Sequence, residues 1–444
     1  HYESALRLSE SPEVHDALGI ALWWLNEIRE SHQHRIRAYN LFKEQGQFGR
    51  AARIACWLGR EQVFLDSNTP AMQGWFARAR RLLTQQPAGK EQAWCALYQA
   101  SMLENPHELE QTAGQILHDT AALDDPNLEA FALALHGLAL VTLGHVTEGI
   151  ARLDEAMTMT IGGEVNDYMV ISEVFCLMLS TCEVAGDWER SDHWCRIASA
   201  FADRHRCPFL SAYCRTSYGS LMTTLGRWYE AETALTEAIQ AFESGHRGLR
   251  IHAMIRLADL WINQGKLEQA EELLSGLEDQ SAAIIPLARL HLNRNQPLLA
   301  RTVLLQALPV DQAYTLNHLP VLFLLIETLL QIKDYPAARH LLTMLNQLCH
   351  ATHSTVLVAR MRFLEGRFQL HSGDFSAARG SFNQVLSHLQ SYQQSLLAGQ
   401  ARLMMAQSLS ESDPPGAIAW AKAALATFVR VDAARDVAIA SAFL

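Results

Sequence analysis

Apolar residues recur along the chain at helical spacing and almost nowhere in strict alternation. In "CPFLSAYCRTSYGSLMTTLG", Tyr218, Leu221 and Leu225 fall at i, i+3 and i+7, one face of a helix. The text that follows, "RWYEAETALTEAIQAF", supplies a second helix whose inner positions are Trp228, Ala231, Leu235 and Ala238. Gly226 separates the two, and glycine takes the left-handed helix end without strain. The pair is predicted to be an antiparallel helix hairpin.

The same phrase returns elsewhere. Gly186 is followed by Trp188, Ser191, Trp194 and Ala198, and Gly373 by Phe375, Ala378, Phe382 and Val385, again aromatic, small, bulky, then small or apolar. In varying strength it is anchored at Asn26, Ser67, Glu104, Gly144, Gly186, Gly226, Gly265, Asn295, Lys333, Gly373 and Ser412. Successive anchors lie about 40 residues apart, except Gly265 to Asn295 at about 30. Pro70, Pro106, Pro297, Pro336 and Pro414 all fall two or three residues after an anchor, in the first helical turn, where a missing N–H is harmless. The small residues are expected where paired helices approach closely, and Trp228 and Leu235 where one hairpin meets the next. A lone hairpin leaves an apolar face bare, so the hairpins must stack.

This text resembles tetratricopeptide repeats with helices longer than the usual unit of about 34 residues. The fold expected is all-α, a tetratricopeptide-like right-handed superhelix of about eleven antiparallel helix hairpins. Two arrays, 1–279 and 280–444, are expected to run on as one solenoid, with an irregularity near 265–295.

Composition narrows the function classes. Hydrophobic residues are 49% and charged residues 19%, enough for a continuous core. Lys plus Arg is 36 against Asp plus Glu at 47, a net charge of −11, and the basic residues are scattered. Nucleic acid held by its phosphates needs a concentrated basic face, so no direct nucleic-acid binding is expected. The eight cysteines show no CxxC spacing and read as buried free thiols of a reducing compartment. The longest uninterrupted apolar candidate, "LPVLFLLIETLLQI", is short for a membrane span and carries Glu327. With no signal peptide in view and a start at His1, a cytoplasmic protein cut from a longer one is expected.

Longer stretches carry a more specific resemblance. "DALGIALWWLNEIRESHQHRIRAYNLFKEQGQFGRAARIACWLG", "GWFARARRLL", "LVTLGHVTEGIARLDEAM" and "AKAALATFVRVDAARDVAIASAFL" are similar to the helical arm of large, maltose-activator-like LuxR-type transcriptional regulators. The resemblance implies a sensor or protein-interaction arm set between a nucleotide-binding module and a DNA-binding helix-turn-helix. Neither GxxxxGK[ST] nor a convincing C-terminal helix-turn-helix occurs in this chain.

Site chemistry is sparse. Cys349, His350 and His353, like His32 and His34, lack the further converging ligands a zinc site needs, so no metal or cofactor is expected. No HExxH, GxSxG or GxGxxG occurs, and no catalytic residue is assigned. Trp23 and Trp24 point about 100° apart on a helix, which leaves one of them free to face a groove. Counting back from the anchors selects positions on the first helix of each hairpin that would line a concave groove. These are Trp94 and Tyr98, Glu173, Tyr213, Thr216 and Ser220, His252 and Asp259, Arg289, Glu327, then Arg360, Phe363 and Arg367. An aromatic end and a basic end would suit an elongated small-molecule effector or a peptide with an acidic group. The reading is a non-enzymatic, effector-sensing or protein-docking arm whose partners are that ligand, other proteins or neighbouring domains, with self-association possible. A stand-alone protein-interaction scaffold, or an enzyme built on helical repeats around Glu173 with His252 or Asp259, are the alternatives.

Overall fold

The computed structural model describes residues 10–66, 68–84, 86–87, 89–120, 123–243, 246–309, 313–392 and 395–444. Among these the chain is all-α, with 23 α-helices, short 3-10 turns and no strand. In chain order the hairpins are α1 and α2 (Pro12–Trp24, Ile28–Glu44), α3 and α4 (Phe48–Asp66, Thr69–Leu83), α5 and α6 (Lys90–Ala100, Pro106–Thr120), α7 and α8 (Pro126–Thr142, Val146–Gly162) and α9 and α10 (Tyr168–Ala185, Trp188–His205). There follow α11 and α12 (Pro208–Leu225, Trp228–Ala241), α13 and α14 (Arg247–Gln264, Leu267–Leu274), α15 and α16 (Ile284–Asn293, Pro297–Gln306) and α17 and α18 (Leu319–Gln331, Tyr335–Ala351). The last are α19 and α20 (Thr355–His371, Phe375–His388) and α21 and α22 (Leu396–Leu409, Pro414–Val431), closed by α23 (Ala434–Phe443). Within hairpins α7 packs on α8 and α19 on α20; between hairpins α3 meets α5 and α17 meets α19, so first helices stack on first helices. The short Gly265 to Asn295 interval is made of short helices: α14 has 8 residues, α15 and α16 have 10 each.

The anchors are the left-handed turns that end first helices. Asn26, Gly144, Gly186, Gly226, Gly265, Asn295, Lys333 and Gly373 all have φ between 58° and 98°. At Gly226 the next amide, Arg227 N–H, donates to Met222 C=O at 2.9 Å, the bond that closes a left-handed helix end. Lys333 holds this conformation with a side chain, which costs roughly 1–2 kcal/mol against glycine. Glu104 and Ser412 lack the positive φ, and Ser67 lies outside the described residues.

At least five of the hairpins close on one steric rule. A Cβ built on Gly219 of α11 would sit 2.5 Å from Leu235 Cγ of α12, and one on Gly366 of α19 would sit 2.6 Å from Phe382 of α20. Gly59 meets Phe76, Gly137 meets Leu153, and Gly19 meets Arg35 in the same way. Leu235 therefore fills its own hairpin, where it was expected to lie between hairpins: the glycine opposite it is the only residue small enough to admit it. The small positions expected at close approach, Ala231 and Ala238, are fully buried.

Contacts divide the chain into two compact units. One comprises His1–Thr181, Ser191–Arg215 and Glu237–Ile251; the other comprises Cys182–Arg190, Thr216–Thr236 and His252–Leu444. By length and composition α9 could cross a membrane, yet it carries Glu173 and Glu183 and is 61% buried within the protein. The cysteines are all free, and all but the half-buried Cys176 are buried.

The first unit contains an aromatic cluster around His246. Trp23, Phe209 and Phe242 surround this imidazole with ring centroids 4.7, 5.0 and 5.8 Å away, and neither ring nitrogen has a hydrogen-bond partner among the described residues. Trp23 is thus the buried member of the tryptophan pair, and Trp24 is half-buried.

This packing leads to three predictions. Gly366→Ala should destabilise the chain by about 1–2 kcal/mol in urea unfolding, overpacking against Phe382 outweighing the helix propensity gained. In the same hairpin Gly380→Ala, which meets nothing within 4 Å, should stabilise by roughly 0.5–1 kcal/mol. Burial pushes His246 down from 6.5 to about 4, so between these values the unfolded chain binds more protons than the folded one. Stability should rise with pH across that window, by up to about 3 kcal/mol, and be unaffected by this group above it. His246→Leu should flatten that part of the stability–pH curve; a curve that keeps its slope would show another group responsible.

Candidate functional site

In the first unit the inner ends of the first helices are filled by the chain's own cations. Trp94 and Tyr98 on α5 are 2% and 6% exposed, stacked with ring centroids 5.5 Å apart and backed by Phe131 of α7. Two arginines of α3 cover them: Arg53 lies 4.3 Å from the Trp94 ring, and Arg60 lies 5.3 Å from Tyr98 and 5.9 Å from Phe131. Arg60, 1% exposed, donates to Glu173 of α9 at 2.6 Å, an ion pair that spans three hairpins. Burial pushes the Tyr98 hydroxyl up, with the Arg53 charge acting against it. The indole N–H of Trp94 donates to Asp125 at 3.2 Å, and Tyr213 shares a 2.9 Å hydrogen bond with Ser180.

Sequence reasoning passed over Arg53, Arg60 and Glu61, charged residues within the apolar text "RIACWLGRE". Glu61 is fully buried and accepts from Trp57 at 2.6 Å, with His32 at 2.9 Å and Arg35 at 3.4 Å. Arg35 occupies the position, nine after the anchor, where other hairpins carry Leu or Phe, and that exchange was the available signal.

In the second unit the selected positions form a row of paired polar groups on successive first helices. Arg256 of α13 donates to both Glu183 oxygens at 2.5 and 2.9 Å and to Ser220 of α11 at 2.9 Å. His252 is exposed one turn away, with Arg256 and Glu183 as its charged neighbours, and Thr216 is half-buried one turn before Ser220. Asp259 receives Arg289 of α15 at 2.6 Å on both oxygens, and Glu327 of α17 receives Arg367 of α19 at 3.2 Å. Arg360 lies 4.8 Å over the Phe323 ring, while Phe363 is buried against Phe382. Burial, and then the Arg289 charge, hold the Arg360 guanidinium below its usual value. Glu183 and Arg256 were missed although each lies one turn from a selected residue or its partner.

A cleft of about 880 Å³ opens in the second unit at the Gly226 turn, away from this row. Trp228, Tyr229, Gln264, Tyr392, Arg430 and Asp432 help to line it. Among the described residues no group of three or more His, Cys, Asp or Glu is placed to hold a metal ion.

No family model matches the sequence, and no curated protein matches it. Among solved structures, the crystal structure of the APC/C hetero-tetramer Cut9-Hcn1 is similar, with a TM-score of 0.57 and 14% identity over 97% of this chain and 83% of that one. The apo form of the quorum sensor NprR from B. thuringiensis matches at 0.45 and 12% identity, over 76% of this chain and 97% of that one. The Rap protein complexed with Competence and Sporulation Factor matches at 0.44 and 12%, over 87% and 99%. At such identities the likeness shows the fold alone, and the first of them carries it: a tetratricopeptide-like superhelical repeat.

The buried pair should dominate stability in the first unit. Arg60→Ala strands Glu173 and empties the aromatic cage, and is expected to cost about 3 kcal/mol or more in urea unfolding. Glu173→Gln should cost less, because the amide still accepts from Arg60 and the Glu173 side chain is 21% exposed.

Proposed function

We propose that the chain is a binding arm that senses or docks an elongated ligand along the first helices of its second unit. The observation that carries this reading is the row from Glu183 and Ser220 through Arg256, Asp259, Arg289 and Glu327 to Arg360 and Arg367. These side chains are polar, half-buried and, Arg360 apart, paired with one another. A purely structural core has no need of them, since apolar residues of similar volume pack at least as stably as ion pairs. Their mutual pairing fixes rotamers in advance, which lowers the entropy lost on binding.

The row crosses six first helices, and its side chains converge, Arg256 reaching Glu183 two hairpins away. Polar groups spread over several repeats suit an elongated ligand such as a peptide. A small effector occupying part of the row remains within the reading. Of the residues selected in the first unit, Glu173 is engaged by Arg60 and Tyr213 by Ser180, while Trp94 and Tyr98 lie beneath Arg53 and Arg60.

Within this reading the arm belongs to a cytoplasmic LuxR-type transcriptional regulator and breaks no bond itself. Glu173 is engaged by Arg60 and Asp259 by Arg289, so neither carboxylate is held ready as a general acid or base. Binding would favour one spacing of the stacked hairpins over another, and that difference would reach the neighbouring domains or protein partners. DNA contact is left to those other parts, in keeping with the net charge of −11.

A thermal-shift screen of short peptides and small metabolites tests the assignment. A ligand should raise the melting temperature of the chain, and the rise should vanish in the double variant Glu183→Gln with Arg256→Gln. Equal rises in the two proteins would place binding off this row.

A further inference from the structure

Five charged side chains meet on α13, α15, α17 and α19, and they do not balance. Asp259 and Glu327 are the acids; Arg289, Arg360 and Arg367 are the bases, so the cluster has one positive charge in excess. Arg289 is spent on Asp259, and Arg367 on Glu327. Arg360 alone makes no hydrogen bond and no ion pair among the described residues. Its guanidinium rests on the face of Phe323, and the side chain is half-buried, so solvent supplies only part of what its donors require.

We propose that Arg360 is the anchor point for a single carboxylate of the bound ligand. A planar guanidinium fixed over a ring presents its edge as a two-pronged donor matched to a carboxylate. One negative charge neutralises the cluster, whereas a phosphate dianion would leave a negative excess beside Asp259 and Glu327. The same excess of one positive charge disfavours a cationic ligand group. Burial and Arg289 together disfavour the charged form of Arg360 in the free protein, and an arriving anion relieves that strain.

This assignment rests on the row being a binding face, and it is tested separately. Ligand-observed NMR titrations of the whole chain at about pH 8 would use hexanoate and N-acetyl-leucine, each against its uncharged amide, with inorganic phosphate, mainly a dianion at that pH, as a further arm. Both carboxylates should bind, the amides and phosphate should not, and Arg360→Gln should weaken carboxylate binding by about tenfold or more. Arg360→Lys, which keeps the charge and loses the fork, should fall between the two. The tighter of the two carboxylates distinguishes a peptide terminus from a simple organic acid as the source. Amides that bind as well as acids, phosphate that binds as well as carboxylate, or an Arg360→Gln protein of unchanged melting temperature and unchanged affinity would overturn the assignment. A screening ligand that depends on Glu183 and Arg256 but not on Arg360 would overturn it too, and would leave the broader binding role standing.

Discussion

The close approach of two helices within each hairpin is the constraint on which the remainder depends. Where Gly219 faces Leu235, or Gly366 faces Phe382, the absence of a Cβ lets a bulky side chain of the second helix lie against the backbone of the first. That contact sets the distance between the paired helices and leaves the opposite face of the first helix to meet the next hairpin. Stacking of the hairpins brings successive first helices side by side. The polar partners one repeat apart, such as Asp259 and Arg289, are within hydrogen-bond reach for that reason.

From the same geometry come two different uses of one helix face. In the first unit it is occupied by Arg53 and Arg60 packed on Trp94, Tyr98 and Phe131, with Glu173 supplying the counter-charge. Cations on aromatic faces in a buried setting add roughly 2 kcal/mol beyond packing, so this face is a polar core. In the second unit the corresponding positions stay half-buried and pair edge to edge, which keeps them accessible to a ligand. What separates the two cases is the surface the arginines rest on: Trp94, Tyr98 and Phe131 in the first unit, and mostly carboxylates in the second.

The hairpins and their turns were legible in the sequence because glycine and proline act through the backbone alone. Spacing carried the signal even where residue type did not, as at Asn295 and Lys333, which adopt the left-handed turn without being glycine. The partner of Leu235 was not legible, since a periodic apolar residue shows that it is buried but not against which helix. Arg60 and Glu61 were hidden for a similar reason: a charge inside apolar text reads as a solvated face until its partner, here more than a hundred residues away for Arg60, is brought alongside. Most positions of the second unit's row could be selected by counting back along one helix, but Glu183 and Arg256 were missed, and the pairing depends on the stacking distance. Arg360 and Arg367 look equivalent in the sequence, and only the placement of Glu327 tells the engaged one from the unengaged one.

Hydrogen–deuterium exchange of the chain, alone and saturated with the ligand that stabilises it most, bears most directly on the proposed binding face. Protection should concentrate in α13, α15, α17 and α19, with the second helices α14, α16, α18 and α20 little changed. Protection confined to the second helices, or to residues 225–232 and 390–392 around the separate cleft, would contradict the account and move the binding site away from the row.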